Sequence, residues 1–461
     1  MPTNPDLDRL VLLAETGDAF DLWTECTIED SFLDPCQTMR LRVGVDETRF
    51  GLVNRLRKGS QFQVQVNGAP QLSGFIDAVS IDSSHSGTSV EVAGRDILSP
   101  VVDSHVDRKL AVPKGVTLRG LARLVFQEQF ALPVIFGRGL ADLADSDAAA
   151  IAARNQAVGK PVAARPRAKR KRPTDPMKDV RPRPNEGGYQ YFSRFAHRVG
   201  YHAWAQPDGQ GVILGAPCYD QDAIGELVNL RGGYGAGNTI ERSSIRSDNT
   251  AVPSHVYVYG KSSKPGDKST ILGYAVNESA PFFKPFYVTD EESDDKDHAD
   301  AYARFLLGKA LRTASVYQVT VRGFSDPKTG AIYNVDTVLN VTDEVCGVDG
   351  PMWVERRVFR KSRGGTFTDL TLIPADSLLL DYYASDSLPP FEKPAVALAK
   401  VQAKPPVSRR EYTGVDFATI ALWGAAGAIE KEASEQYAST SAAPLTSGSG
   451  TSNLNPSTPG A

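Results

Sequence analysis

The side chains best suited to chemistry crowd into residues 74–96, G-F-I-D-A-V-S-I-D-S-S-H-S-G-T-S-V-E-V-A-G-R-D, where Asp77, Asp82, Ser83, Ser84, His85 and Asp96 stand close in sequence. A hydrolase needs a hydroxyl nucleophile held by a base and an orienting acid. Ser83, Ser84 and His85 fall at the predicted tip of a hairpin, where polar residues need no special reason. No G-x-S-x-G elbow accompanies them. A metal site needs converging ligands. The histidines, His85, His105, His197, His202, His255 and His298, never form H-x-x-x-H or H-E-x-x-H. His197 and His202 flank a predicted helix end and read as packing or solvated residues. The carboxylates between 290 and 300 lack the central glycine and terminal glutamate of a calcium loop. G-K-S at 260–262 resembles the end of a P-loop, but His255 stands where its first glycine belongs, and V-Y-V-Y between them is a strand. G-G-Y-G-A-G at 232–237 precedes a β-like segment, not a helix. No pair of acids stands in a recognisable glycosidase motif. The reading is a protein without catalytic, cofactor-binding or metal-binding residues, and with no cofactor.

One strong charge feature remains. The segment A-A-R-P-R-A-K-R-K-R-P-T-D-P-M-K-D-V-R-P-R-P, residues 163–184, carries Arg165, Arg167, Lys169, Arg170, Lys171 and Arg172, then Lys178, Arg181 and Arg183. Such a run can neutralise phosphates with steep salt dependence, or contact an acidic protein neighbour. No aromatics interleave for base stacking. Its prolines and charges predict an exposed loop without regular structure.

The elements that would position these residues belong to several domains. A chain of 461 residues exceeds one compact core. Its net charge of −4 sets up no global field toward nucleic acid or anionic lipid. Its four cysteines, Cys26, Cys36, Cys218 and Cys346, are scattered, which fits a reducing compartment. The polar, acidic start does not read as a signal peptide. The longest nearly apolar run, 417–429, falls short of a bilayer span, so no stable membrane insertion is expected.

Along the chain, residues 1–108 read as strands. In F-Q-V-Q-V, Phe62, Val64 and Val66 share one face and Gln63 and Gln65 the other. V-N-G-A-P (66–70) and S-S-H-S-G-T (83–88) are turn-rich breaks, the second a polar loop joining strands at about 71–82 and 88–94. Residues 109–235 form a helical and α/β middle region. Leu118, Leu121, Ala122 and Val125 take helical spacing behind Thr117 as N-cap. Residues 142–157 read as helix. Phe192, Phe195, Ala196 and Val199 mark another helix, stopped by Gly200, and a hairpin turns at Pro207, Asp208 and Gly209. The basic loop, taken as 159–185, lies inside this region. Residues 236–380 return to strands. Tyr317, Val319 and Val321 alternate with polar residues, and Val335, Thr337, Leu339 and Val341 alternate with Asp336, Val338 and Asn340. A helix at about 295–311 interrupts them, its N-terminus favoured by the acidic run D-E-E-S-D-D-K-D. Residues 381–461 form a tail, helical over 415–437 and then disordered. V-x-V-x-G occurs at 64–68, 90–94, 256–260 and 319–323, each copy read as a strand ending on glycine, and together they hint at two similar β domains. The fold class expected is α+β, mainly β, with two similar tube-type β-barrels, an α/β middle and a flexible tail.

Taken in order, these pieces resemble the phage tail baseplate hub family, which includes the phage Mu hub protein, the late control protein D of P2-like phages and the hub part of type VI spike proteins. The resemblance rests on G-F-I-D (74–77), V-E-V-A-G-R-D (90–96) and V-V-D-S (101–104). It continues through P-N-E-G-G-Y-Q-Y-F-S-R-F-A-H-R-V-G-Y-H-A-W-A-Q-P-D-G (184–209), V-I-L-G-A-P (212–217) and S-H-V-Y-V-Y-G (254–260). Y-Q-V-T-V-R-G-F (317–324), G-A-I-Y-N-V-D (330–336), V-T-D (341–343) and S-R-G-G-T-F-T-D-L-T-L-I-P-A-D (362–376) complete it. Coverage runs over about residues 5–380. The basic loop is longer than the family needs, and the tail has no clear family counterpart.

The resemblance implies a homotrimer whose subunits each supply two β-barrels. The resulting pseudo-sixfold ring adapts the sixfold tail tube to the threefold spike of a contractile tail, with hubs of other tails and of phage-derived injection devices as alternatives. It implies as partners the chain itself, the tail tube or a tube-adaptor protein, the central spike, baseplate wedge proteins and the tape measure protein. DNA or an effector would pass through the channel without sequence specificity. It also implies a place in the virion tail baseplate after synthesis in the host cytoplasm, and no catalytic residues. The channel face should be polar or acidic, since strong positive charge would hold passing DNA. The basic residues Arg165 to Arg172 should point to a partner. Phe417, Ile420, Leu422 and Trp423, rather apolar for an exposed segment, should dock on another tail protein. A cell-wall-degrading enzyme using the opening hairpin, and a nucleic-acid binder using the basic loop, are the rival readings.

Overall fold

The computed structural model describes residues 8–374 apart from 22, 46–54, 86, 108, 138–176, 178–179, 219–220, 233–236, 262–269 and 294–295. The helices expected at 142–157 and 415–437 therefore lie outside the described residues.

The first β segment contains β1 (Leu10–Ala14), β2 (Ala19–Phe20), β3 (Glu25–Ser31), β4 (Thr38–Val45), β5 (Gln61–Val66), β6 (Ala69–Ser84) and β7 (Gly87–Asp96). Its alternating patterns bury as expected: Phe62, Val64 and Val66 of β5 all face the core. Asn67 and Gly68, both at positive φ, close the β5–β6 hairpin in two residues. The predicted polar loop at 83–88 is tighter than expected. Ser84 pairs with Gly87, so both strands run right up to the turn at His85.

The middle region holds α1 (Ser99–Asp103), α2 (Leu118–Ala122), β8 (Val134–Phe136), α3 (Gly188–Ala196), β9 (His202–Ala205) and β10 (Val212–Gly215). Thr117 caps α2, its hydroxyl accepting from the Gly120 amide at 3.1 Å. The helix then widens into a π-helical stretch, Arg123–Gln129. After α3 and a short 3-10 turn, Gly200 adopts the left-handed conformation that stops the chain, as read from the sequence. The hairpin of β9 and β10 turns at the expected place. The end of the basic segment departs from expectation. Val180 is buried in the middle core, and its carbonyl accepts from the Tyr191 hydroxyl at 2.6 Å. Arg183 reaches Glu292 at 3.1 Å. An apolar residue among the charges anchors what composition alone reads as a solvated loop.

The last segment contains β11 (Glu226–Asn229), β12 (Ile240–Ser247), β13 (His255–Lys261), β14 (Thr270–Val276), β15 (Pro285–Asp290), α4 (Lys296–Ala314), β16 (Ser315–Arg322), β17 (Val338–Asp343), β18 (Val348–Ser362) and β19 (Gly365–Pro374). Tyr317, Val319 and Val321 are buried as predicted. The run from Val335 is not one strand. Asp336 takes a positive φ, and its carboxylate accepts from the Cys218 amide and the Trp353 indole. The strand starts at Val338, which is buried like its neighbour Leu339 because both faces of β17 are covered.

The expected α+β, mainly β class is what the chain adopts. The barrels are not closed among the described residues. Instead, thirteen strands form one open sheet in the order β12-β16-β19-β18-β3-β4-β7-β6-β5-β1-β2, with β17 and β11 branching from β18. Two halves of this sheet repeat one plan. In the first, β1, β3, β4, β5, β6 and β7 line up as β3-β4-β7-β6-β5-β1. In the second, β11, β12, β16, β17, β18 and β19 line up as β12-β16-β19-β18-β17-β11. Taken in chain order within each half, the two arrangements are identical. One pairing differs in direction, β1 with β5 being antiparallel and β11 with β17 parallel. The long hairpins agree residue for residue. Ser84 faces Gly87 and Ser362 faces Gly365, and each register shifts by one residue at a bulge, at Asp77 in β6 and at Glu355 in β18.

The V-x-V-x-G echo is only partly what it seemed. Gly68 and Gly323 do end their strands at positive φ. Gly94 and Gly260 lie within strands, where a Cβ would meet the Phe75 carbonyl oxygen at 2.8 Å and the Ser293 carbonyl oxygen at 2.3 Å. The third copy also sits in a separate sheet, β14-β13-β15, covered by α4.

One apolar core runs through both halves, from Leu10 and Val92 to Tyr317 and Leu372. A second cluster fills the middle region. Phe32 ties the parts together, its ring 5.2 Å from Trp353 and 5.0 Å from Trp204.

Candidate functional site: a charge-paired sheet face

The acidic and hydroxyl residues of 74–96 do not converge. His85 is exposed at the β6–β7 turn, and Asp96 is buried at the far end of β7. At about 3.3 Å per residue, a ten-residue strand holds them roughly 30 Å apart. Ser83 meets Thr88, hydroxyl to hydroxyl, at 3.2 Å. Among the described residues no three histidine, cysteine or acidic side chains are placed to hold a metal ion. No helix among them is long and apolar enough to cross a bilayer.

Asp96 instead organises a junction. Its carboxylate accepts from the Gln37 and Leu98 amides and from the Cys36 thiol, each at 2.9 Å. Burial pushes this carboxyl up to about 6, although all three donors pull it down. Asp96→Ala is expected to cost about 2 kcal/mol at pH 7, because two buried N–H groups lose their acceptor. An Asp raised by folding contributes stability in its protonated form, present in acid and lost as pH rises through 6. The gap to the variant should therefore widen by about 1 kcal/mol at pH 5, as read by urea unfolding at both pH values.

The acidic run before α4 serves more than the helix dipole. Arg198 holds Asp290 with two hydrogen bonds, at 2.7 and 2.6 Å, and lies over the Tyr302 ring. Arg194 joins Glu186 at 2.7 Å and also pairs with Glu292. These pairs clamp α3 to the end of β15 and the start of α4. His197 and His202, just beyond α3, lie ring against ring with centroids 4.5 Å apart and planes tilted by 34°, so the packing reading of these two residues is the one that applies.

One face of the thirteen-stranded sheet is an organised polar surface. Alternation in β12, β16, β18, β3 and β4 turns Ile245, Tyr317, Val319, Phe359, Ile28 and Leu41 inward. Arg242, Gln318, Thr320, Arg356, Arg360, Glu29, Arg40 and Arg42 turn to the other side. Most of its cations are matched by neighbours. Arg40 pairs with Glu91 at 3.1 Å, Arg42 with Glu25 at 3.9 Å and Arg322 with Glu241 at 3.0 Å, while Arg356 pairs with Glu29 and Arg360 with Asp369. Arg95 is shared by Asp77 at 2.7 Å and Asp103 at 2.6 Å. Such part-exposed pairs add little stability. Their physical effect is to make a wide surface polar without a net field. A shallow groove crosses it, lined by Arg242, Ser244, Gln318, Thr320, Arg356 and Arg360. Sequence reading missed this face because the acid partners come from other strands. Only the alternation of charged residues within β4 and β18 hinted at it.

The residues singled out for partner contact, Arg165, Arg167, Lys169, Arg170, Lys171, Arg172, Phe417, Ile420, Leu422 and Trp423, lie outside the described residues.

With this geometry in hand, similarity to known proteins can be placed. Residues 10–96, essentially β1 to β7, match the family model of the Mu phage baseplate assembly protein GpP-like, N-terminal domain. The fold is similar to that of the 43 kDa tail protein of prophage MuSo2 from Shewanella oneidensis, at 17% identity and a TM-score of 0.64, over 80% of this chain and 99% of that one. It is equally similar to a tail protein from Neisseria meningitidis MC58, at 20% identity and a TM-score of 0.64, over 82% of this chain and 99% of that one. A component of the type VI secretion system of E. coli is more distant, at 10% identity and a TM-score of 0.44, over 79% of this chain and 76% of that one. No curated protein matches the chain by sequence. The resemblance carried by G-F-I-D and V-E-V-A-G-R-D therefore holds over the first β segment, which matches the Mu phage baseplate GpP-like N-terminal model, while the chain as a whole shares the fold of these prophage and bacterial tail proteins.

Proposed function

We propose that this protein is a structural baseplate hub, without enzymatic activity, that assembles as a homotrimeric ring between the sixfold tail tube and the threefold spike of a contractile tail. The observation that carries this reading is the repeated sheet plan. One chain supplies two halves of the same strand order, fused edge to edge by β3 and β18 into a continuous wall. Three such chains would present six equivalent wall segments, the arithmetic needed to meet a sixfold tube from a threefold base. The charge-paired face would line the bore. Its matched ions let a polyanion or an effector slide past without a net field to hold it.

In this reading residues 1–108 and 236–380, the latter completed by β11, are the two wall domains, and the rest of 109–235 is the bracket between them. The basic run Arg165 to Arg172 faces a tube or wedge partner, and the segment with Phe417, Ile420, Leu422 and Trp423 docks on a further tail protein such as the spike or tape measure. The protein would be made in the host cytoplasm and end in the virion tail. Light scattering of the full chain at micromolar concentration tests the ring. A mass about three times the 49.7 kDa of one chain is expected, and a monomer overturns the proposal.

A further inference from the structure

Which edges would join one chain to the next can be read from the repeat itself. In the chain, β3 is the second strand of the first half, and it pairs antiparallel with the part of β18 beyond its bulge. Ser31 faces Arg356, Asp30 faces Arg357, Glu29 faces Val358, Ile28 faces Phe359, Thr27 faces Arg360 and Cys26 faces Lys361. The two elements that correspond to these in the other half are β12 and the part of β6 beyond its bulge. Both lack a strand on that edge among the described residues: β12 ends the sheet, and residues 78–84 of β6 pair only with β7.

We propose that β12 of one copy of this chain pairs antiparallel with residues 78–83 of β6 in the next copy, repeating between chains the joint that β3 and β18 make within one. The register follows from the hairpins. Ile81 occupies the place of Phe359, as both stand three residues before their turn's serine. Ile245 occupies the place of Ile28, since Ile28 faces Met39 and Ile245 faces Tyr317, the matching residues of β4 and β16. Ile81 thus faces Ile245, Asp82 faces Ser244, Ser80 faces Arg246 and Ala78 faces Asp248.

The side chains suit this pairing. Ile81 points to the same side of the hairpin as Val90 and Val92, which are fully buried, yet it is 48% exposed. Phe359, in the same place at the joint within the chain, is fully buried. A facing Ile245 would cover Ile81. Asp82 would sit between Arg242 and Arg246, its diagonal neighbours across the pair, and both arginines are exposed. Open edges of this kind invite strand addition. The contact is head-to-tail, since each copy offers one β12 and one β6, and a contact of this type closes into a ring of three when each copy is rotated by a third of a turn from the last.

The inference rests on the ring reading above, and the experiment separates the two. Ile81→Cys and Ile245→Cys are combined in the full chain and treated with a short bis-maleimide, with the parent chain and its four native cysteines as the blank. The expected product is a covalent trimer from the double variant, and no cross-linked species from either single variant. A second pair, Asp82→Cys with Ser244→Cys, should cross-link likewise. Ala78→Cys with Ser244→Cys, four residues out of register, should not. A chain with trimeric mass that resists cross-linking at both in-register pairs overturns the joint and leaves the ring standing. A monomer by light scattering overturns the ring and the joint with it.

Discussion

Replacing Arg357 with alanine is expected to remove about 3–5 kcal/mol of folding stability. Arg357 is 1% exposed on β18, inside the core. Its guanidinium donates to the Asp30 carboxylate at 3.3 Å, to the Gln71 side chain at 2.7 Å, and to the Tyr333 carbonyl and the Asn334 side chain at 3.2 and 2.7 Å. It also lies over the Phe359 ring. Asp30 is directly opposite on β3, so the pair sits at the joint between the two halves of the sheet. Burial pushes the Asp30 carboxyl up, and the Arg357 charge, with a hydrogen bond from Gln37, opposes that rise. Truncation leaves a buried acid without its counter-charge, together with acceptors that have lost a donor and a cavity. The double variant Arg357→Met, Asp30→Leu should recover a large part of the loss, because an apolar pair of similar volume carries no desolvation penalty. Urea unfolding of the three proteins measures this. A single variant within about 1 kcal/mol of the parent would show that the pair does not fasten the joint. At the proposed joint between copies, Val79 and Ser247 occupy the places of Arg357 and Asp30, so the contact between chains lacks this buried lock.

The adjacent buried histidines His197 and His202 should make the protein acid-sensitive. Burial, and then the positive charges of Lys309 and Arg312 on α4, hold His197 down at about 4. Burial, His197 and Arg312 hold His202 well below its ordinary value. A histidine lowered by folding contributes stability that is present above its unfolded value of about 6.5 and disappears as pH falls toward the folded one. By pH 4.5, His197 alone should cost about 2–3 kcal/mol relative to pH 7, and His202 adds to it. The raised carboxyls of Asp96 and Glu355 act in the opposite direction. The clean readout is therefore a difference. The variant His197→Gln, His202→Gln should be no more stable than the parent at pH 7, and it should gain on the parent by at least about 2 kcal/mol at pH 4.5. A gap that stays constant between the two pH values would show that the pair does not carry the acid response.

Much of the fold was legible as local pattern. The period-two runs around Phe62 and Tyr317, the cap at Thr117 and the stop at Gly200 are short-range effects, written in neighbouring residues. The motifs G-F-I-D and V-E-V-A-G-R-D also sufficed to point to the baseplate family whose model matches residues 10–96. The glycines were only half legible. Gly68 supplies a backbone angle, which the sequence can signal, whereas Gly94 makes room for a neighbouring strand, which it cannot.

What remained hidden is everything that depends on contact across long stretches of chain. Arg357 and Asp30 are 327 residues apart, and nothing near either one announces a buried ion pair. Composition cannot tell that Arg40 is neutralised by Glu91 or Arg356 by Glu29, since register decides which charges meet. Two similar barrels were expected, and among the described residues one open sheet forms, because the β3 edge finds its partner in β18 instead of closing on its own half. Side-chain periodicity specifies which face of a strand is buried. Which edge meets which is settled by backbone hydrogen bonds that every residue type can make, and so it emerges only when the whole chain has folded.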